Sequence, residues 1–133
     1  MKRVVLSAVL SATALFSIVV SAANLTFAEV VDGVDQKHTK LNVQEFWNRV
    51  KDQEVTWSGD VFDVEGGKSQ VRILVTDKSR PLYKGYNIRV VTHDFAKGSS
   101  LKKGQQIRFK GVLNSFHSKD AGAVIDISDA TVF

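Results

Sequence analysis

From Glu54 onward the chain alternates. Val55, Trp57, Gly59 and Val61 take every second position, with Thr56, Ser58 and Asp60 between them, the period of a strand with one buried face. Gly66-Gly67 is a hairpin turn signal. Val71, Ile73 and Val75 then alternate with Arg72 and Thr76, and Tyr86, Ile88 and Val90 alternate with Asn87, Arg89 and Val91. A turn at Asp77–Pro81 separates these two segments. Ile107, Phe109, Gly111 and Leu113 set the face of a fourth strand, with Arg108 and Lys110 opposite. Ile125 and Ile127 set that of a fifth, with Asp126 and Ser128 outward, beyond a turn at Lys119–Gly122. Ala96–Gln106 is polar, with Leu101 its one large apolar anchor, and reads as a loop or one turn. Five short strands with one apolar face each predict a mainly β fold, a five-stranded closed or nearly closed barrel, because an open sheet would leave that face bare. Gly59 and Gly111, in mid-strand, mark barrel corners.

Ahead of the strands the period is helical. Val43, Phe46, Trp47 and Val50 recur at i, i+3, i+4 and i+7, predicting a short amphipathic helix over 42–52 with Asn42 as cap and Glu45 in the capping-box position. Residues 29–41 show no sustained period and are expected to be an extended leader. Residues 1–28 have a different composition. Met1-Lys2-Arg3 is a positive start, Val4–Val20 is apolar, and Ser21-Ala22-Ala23 and Thr26-Phe27-Ala28 are small-residue cleavage sites. Together they read as a secretory signal peptide, cleaved after Ala23 or Ala28, which would make the product exported, periplasmic or secreted, and not integral to the membrane. The domain proper is then 42–133.

Charge is distributed unevenly. Losing Lys2 and Arg3 with the signal halves the formal charge of +4, yet between Gly66 and Lys119 there are 12 Lys and Arg against only Asp77 and Asp94. Such segregation suits a basic surface for an anionic partner, unless acidic and basic strands become neighbours and cancel. Zero Cys excludes disulfides, thiolate metal sites and a thiol nucleophile.

Two segments carry a resemblance. Trp57-Ser58-Gly59-Asp60-Val61, and Leu101-Lys102-Lys103-Gly104-Gln105-Gln106-Ile107-Arg108-Phe109-Lys110-Gly111-Val112-Leu113, resemble the OB-fold pattern of a glycine-bent first strand and an L-x-x-G segment leading into strand four. The chain is similar to exported bacterial OB-fold proteins, including the tRNA-anticodon-binding-like group, over roughly Glu54 to Phe133. The resemblance implies an OB-fold that binds nucleic acid, oligosaccharide, peptide, a small ion or a protein. It departs from the pattern between strands three and four, where many OB-folds carry a helix.

No motif points to catalysis. His38, His93 and His117 have no metal-ligand spacing, although His93-Asp94 resembles half of an acid–base pair and a metal module using His93 and His117 is a minor alternative. Gly66-Gly67-Lys68-Ser69 is a turn, not a phosphate loop. The expectation is a non-enzymatic binding protein without cofactor. Its candidate ligand residues are Arg72 and Arg89 on strands two and three, Tyr83 and Lys84 between them, Lys110 on strand four, and Lys68 and Lys119 in flanking loops. The partner would be an anionic ligand (glycan, lipid headgroup or nucleic acid) or an acidic protein; the alternative is a structural subunit of an envelope or secreted complex. In the OB strand order Asp126 comes within reach of a neighbouring Arg and would split the basic patch.

Overall fold

The computed structural model describes residues 25–118 in full, the backbone of Lys119, and residues 122–133. Most of the expected signal segment, the side chain of Lys119 and the tip of its turn lie outside them. The elements are α1 (Phe27–Gly33), α2 (Lys40–Val50), β1 (Glu54–Gly66), β2 (Val71–Thr76), β3 (Ile88–Thr92), α3 (Phe95–Ser100), β4 (Gln106–Lys119) and β5 (Gly122–Val132). The strands close into a barrel in the order β1-β2-β3-β5-β4, with β4 returning to β1. Only β3 and β5 run parallel. This is the OB-fold, a mainly β barrel preceded by a short helix. No described helix is long and apolar enough to cross a membrane.

Alternation placed the core correctly. Ile73, Val75, Ile88, Val90, Phe109, Leu113, Ile125 and Ile127 are fully buried and fill the barrel, each side chain contributing roughly 1.5–3 kcal/mol of transfer free energy. Gly59 and Gly111 are close-approach points. A Cβ at Gly59 would lie 2.5 Å from Val75 Cγ1, and one at Gly111 2.5 Å from Ile127 Cγ2. β4 also slips register beside Gly111, so the wall bends there.

Five local expectations are corrected. The leader is not extended throughout: Phe27–Gly33 is helix, with Thr26 and Glu29 forming a reciprocal capping box. Phe27, Val30, Val31 and Val34 are buried in the barrel core, so α1 packs its apolar face against the barrel. That predicted helix starts earlier, at Lys40, because the Thr39 hydroxyl accepts from the Asn42 amide and serves as its cap. The segment before β4 holds a six-residue helix, α3, whose cap is the Asp94 carboxylate accepting from Lys97 N. Asp94 is thereby committed to structure, and His93 Nδ1 lies 3.0 Å from the Ser69 carbonyl, so the two form no acid–base pair. Finally Asn87, expected outward, is fully buried, for reasons given below.

α1 spans three walls of the barrel. Its Phe27 ring packs edge-on to Trp57 of β1 at 5.5 Å, and Ser118 Oγ of β4 donates to Val34 O at 3.3 Å. Asp32 accepts from Arg80 Nε and Nη2 at 2.7 and 2.6 Å, tying the helix to the β2–β3 loop. These two hydrogen bonds hold the Asp32 carboxyl below the usual carboxylate value. A lowered folded-state pKa adds stability that is complete above the unfolded value and is lost as pH falls through the lowered one. Asp32→Asn should therefore melt below the parent protein at pH 7, with the gap closing as pH drops through the carboxylate range. Thermal melts of both proteins across pH check this; a gap independent of pH would show that the ion pair is not the cause. The effect is modest because both side chains are partly exposed.

Candidate functional site

The β2–β3 loop, residues 77–87, is organised around one amide. Asn87 Oδ1 accepts from Asp77 N at 2.9 Å, and its Nδ2 lies 2.7, 3.2 and 3.3 Å from the carbonyl oxygens of Asp77, Arg80 and Pro81. A buried amide with its donors and acceptor satisfied fixes the loop. The loop then presents Tyr83 and Tyr86, whose rings pack edge to face at 6.0 Å. Gly85 between them has φ +95, and a Cβ there would lie 2.3 Å from the Phe62 ring, so both its conformation and its space require glycine.

Phe62 completes an aromatic row. β1 slips register between Val61 and Asp63, leaving Phe62 without a partner on β2. Bulges re-aim side chains in this way. Phe62 is 41% exposed and its ring centroid lies 5.9 Å from that of Tyr86. Phe62 is not among the ligand residues expected from the sequence; its outward parity on strand one was the available signal.

Beside this row stands a charged cluster. Arg89 of β3 donates from Nε and Nη2 to the two carboxylate oxygens of Asp126 on β5, at 2.8 and 3.0 Å, and this pairing holds the guanidinium above its ordinary pKa. Asp126 is 8% exposed. Ser115 Oγ of β4 donates to Asp126 Oδ2 at 2.6 Å. His117 Nε2 lies 3.1 Å from the same oxygen and 3.2 Å from Arg89 Nη2. One imidazole nitrogen cannot donate to the carboxylate and accept from the guanidinium at once, so the two contacts are alternatives. Ser115 gives its proton to the carboxylate and not to the imidazole, so the trio lacks the hydroxyl-to-imidazole bond of a nucleophilic relay. Tyr83, Tyr86, Arg89, His117 and Val124 together line a cleft of about 230 Å³, and Lys84 Nζ lies 5.2 Å from the Tyr83 ring centroid.

The structure thus gathers Arg89, Tyr83 and Lys84 and places Lys68 and Lys110 elsewhere, while the Lys119 side chain lies outside the described residues. Arg72 stands opposite Val91 and Arg89 opposite Leu74, two rungs apart. Leu74 between them is buried, and Arg72 is paired with Glu65 at 3.2 Å. On adjacent strands that spacing makes the two arginines diagonal neighbours on one face, and Glu65 and Asp126 each neutralise one of them. Lys68 lies in the β1–β2 turn, at the end of β2 remote from the Tyr loop. Lys110 stands between Thr56 of β1 and Thr131 of β5 on another wall. Asp126 divides the charge as its place in the strand order implied. His93 and His117 have separate partners, and no described group of three or more His, Asp or Glu is placed to hold a metal ion.

No family model matches the chain, and no curated protein does. Among solved structures it is similar to the asparaginyl-tRNA synthetase from Pyrococcus horikoshii complexed with asparaginyl-adenylate, at 14% identity and TM-score 0.48, over 83% of this chain and 22% of that one. It is similar to a chain of the S. pombe Stn1-ten1 complex at 19% identity and TM-score 0.41, over 60% of this chain and 57% of that one. OBody AM3L09, bound to hen egg-white lysozyme, gives 17% identity and TM-score 0.46 over 64% and 85%. The strand order of the barrel is what identifies the fold, and the site must be argued from its own residues.

Two substitutions test this construction. Asn87→Ala should lower stability by about 1–3 kcal/mol, the penalty of leaving buried polar groups without partners, and should broaden the amide signals of residues 77–86. Asp126→Asn should lose about 2–3 kcal/mol by leaving Arg89 without its counter-charge. Urea unfolding measures both.

Proposed function

We propose that this protein is an exported, non-enzymatic OB-fold binding module that takes an anionic ligand carrying flat rings in the cleft of Tyr83, Tyr86, Arg89 and His117. The observation that carries the reading is the placement of Arg89: a two-point bridge to Asp126 presets the guanidinium beside an aromatic row. Among the described residues its Nη1 donates no hydrogen bond, leaving a fixed donor for a ligand oxyanion. Tyr83, Tyr86 and Phe62 offer ring faces for stacking. Because Asp126 neutralises Arg89, net attraction comes chiefly from Lys84, and binding is local recognition by one or two anionic groups.

Export rests on the composition of residues 1–23, a positive start followed by an apolar run and Ala22-Ala23. Of the two cleavage positions, the one after Ala23 suits the fold. Trp57 Nε1 donates to Leu25 O at 2.9 Å, Thr26 caps α1 and Phe27 is buried; cutting after Ala28 would remove all three.

The test is a titration of the protein, followed by amide NMR, with a short single-stranded oligonucleotide and separately with heparin, at low and high salt. The expected result is a set of shifts at Tyr83, Tyr86 and Arg89, and an affinity lost at least fivefold in Tyr86→Ala. The slope of log affinity on log salt should be about −0.7 to −1.4, the value for one or two phosphates on a single strand. Response to heparin alone would overturn the flat-ring part of the reading in favour of a glycan. Shifts centred on Arg72 and Lys68, or a slope steeper than about −3, would overturn the cleft in favour of a diffuse basic surface. No shift with either probe would overturn the anion reading.

A further inference from the structure

A second concavity, of about 550 Å³, lies between the two N-terminal helices and the far end of β4. It shares no residue with the tyrosine cleft, and the argument for it is independent of that reading. Its apolar surface comes from Val34, Val43, Trp47 and Phe116, with the Trp47 and Phe116 rings packed edge to face at 4.9 Å. Val43, Trp47 and Phe116 are only partly buried, so the amphipathic helix α2 keeps part of its apolar face uncovered.

The wall of this groove is a strand edge. β1 begins at Glu54 opposite Val112, and the preceding residues extend that pairing only as far as Leu113, through Asp52 N to Leu113 O and Leu113 N to Gln53 O, both 2.9 Å. From Asn114 to Ser118, β4 has β5 on one side and, among the described residues, no strand on the other. The direction of its main-chain groups follows from two bonds. Ile125, the cross-strand partner of Phe116, commits its N–H to Asn87 O on β3, so Phe116 and Ile125 are a pair whose peptide groups face away from each other. Two residues on, Ser118 O accepts from Gln36 Nε2 at 3.2 Å, on the groove side. The N–H and C=O of Phe116 therefore point to the same side as Ser118 O, and among the described residues nothing bonds them there.

Buried or half-buried peptide groups without partners are a docking template. Here the template lies along an apolar floor, and the side chains around it include Lys40 and His38 and no carboxylate. We propose that this groove binds an extended segment of a partner protein, added as a strand to the β4 edge at Phe116, with an apolar side chain seated against Val43 and Trp47 and a carboxylate directed at Lys40. This is strand addition, in which main-chain bonds give affinity and the floor selects alternate side chains. The Gln36 amide occupies the position at Ser118 O that a partner's N–H would take.

The experiment uses the purified chain and a pool of blocked nonapeptides that alternate Val, Leu or Phe with Thr and carry Glu at both ends. Amide shifts should centre on Phe116 and Ser118, with the Trp47 indole moving and Tyr86 unaffected. N-methylation of the central peptide bond should weaken binding roughly tenfold, the loss of one well-made main-chain bond. Lys40→Glu should weaken it severalfold, and Val43→Glu should abolish it while the spectrum outside the groove stays native. Absence of shifts at millimolar peptide would overturn the proposal, as would binding indifferent to N-methylation, since an occupant not paired to β4 would behave that way. Stronger binding by helix-forming peptides of the same composition would overturn it as well.

Discussion

The buried side chain of Asn87 is the point on which most of this structure turns. Its backbone N–H donates to Val75 O and its carbonyl accepts from Ile125 N, both at 3.0 Å, so one residue joins β2 and β5 at the head of β3. Its amide then gathers the loop carbonyls of Asp77, Arg80 and Pro81. From that fixed loop two consequences run in opposite directions. Tyr83 and Tyr86 are set beside Arg89, and Arg80 is set where it can grip Asp32 and hold α1 to the barrel. The tyrosine cleft thus takes its shape from a single satisfied amide and α1 gains one of its anchors from the same loop, which is why an unpaired polar group at this position would be felt beyond its own contacts.

The strands were legible because each has one buried face and the period of two leaves little freedom once that face is chosen. What the pattern could not show was where a polar residue follows the outward parity yet turns in. Asn87 sits at such a position, and no count of alternation separates it from Arg89. α1 was hidden for a different reason. Phe27, Val30, Val31 and Val34 carry the same i, i+3, i+4, i+7 spacing that revealed α2, and Thr26 with Glu29 is a capping box. Placing a boundary at Ala28 removed the first of these residues from view and left a segment without a period. The same few residues match both a small-residue cleavage pattern and a helix start.

The site was less legible than the fold because charge along a chain says little about charge on a surface. The segregation of acidic and basic residues is resolved in space by pairing across the segments. Glu65 meets Arg72, Asp32 meets Arg80 and Asp126 meets Arg89. Each pair couples an arginine of the basic middle region to a carboxylate from outside it. Exposed pairs such as the first contribute little to stability, but all three remove a guanidinium from the long-range field. What remains is carried largely by lysines scattered over the walls, and a ligand would meet that field as a weak and diffuse one. In the proposed reading, recognition rests instead on short-range geometry, that of the aromatic row and the oriented Arg89.

Short-range geometry also separates the two concavities. Ser115 and His117 turn their side chains toward Asp126 on the outer face of β4, whereas Phe116 between them turns toward α2. One strand therefore presents a polar, charge-fixing face to the cleft and an apolar face with a free peptide edge to the groove. Alternation, the feature that made β4 visible in the sequence, places two chemistries on opposite sides of the same few residues. A ligand in the cleft and a strand on the edge would both depend on the position of residues 115–118, the first through Asp126 and the second through Phe116. The β4–β5 register slips between Leu113 and Ser115, and beyond that slip the described residues give β4 a strand neighbour on one side only. Small adjustments there would be felt at both sites, and the barrel below, with its fully buried core, would not need to move.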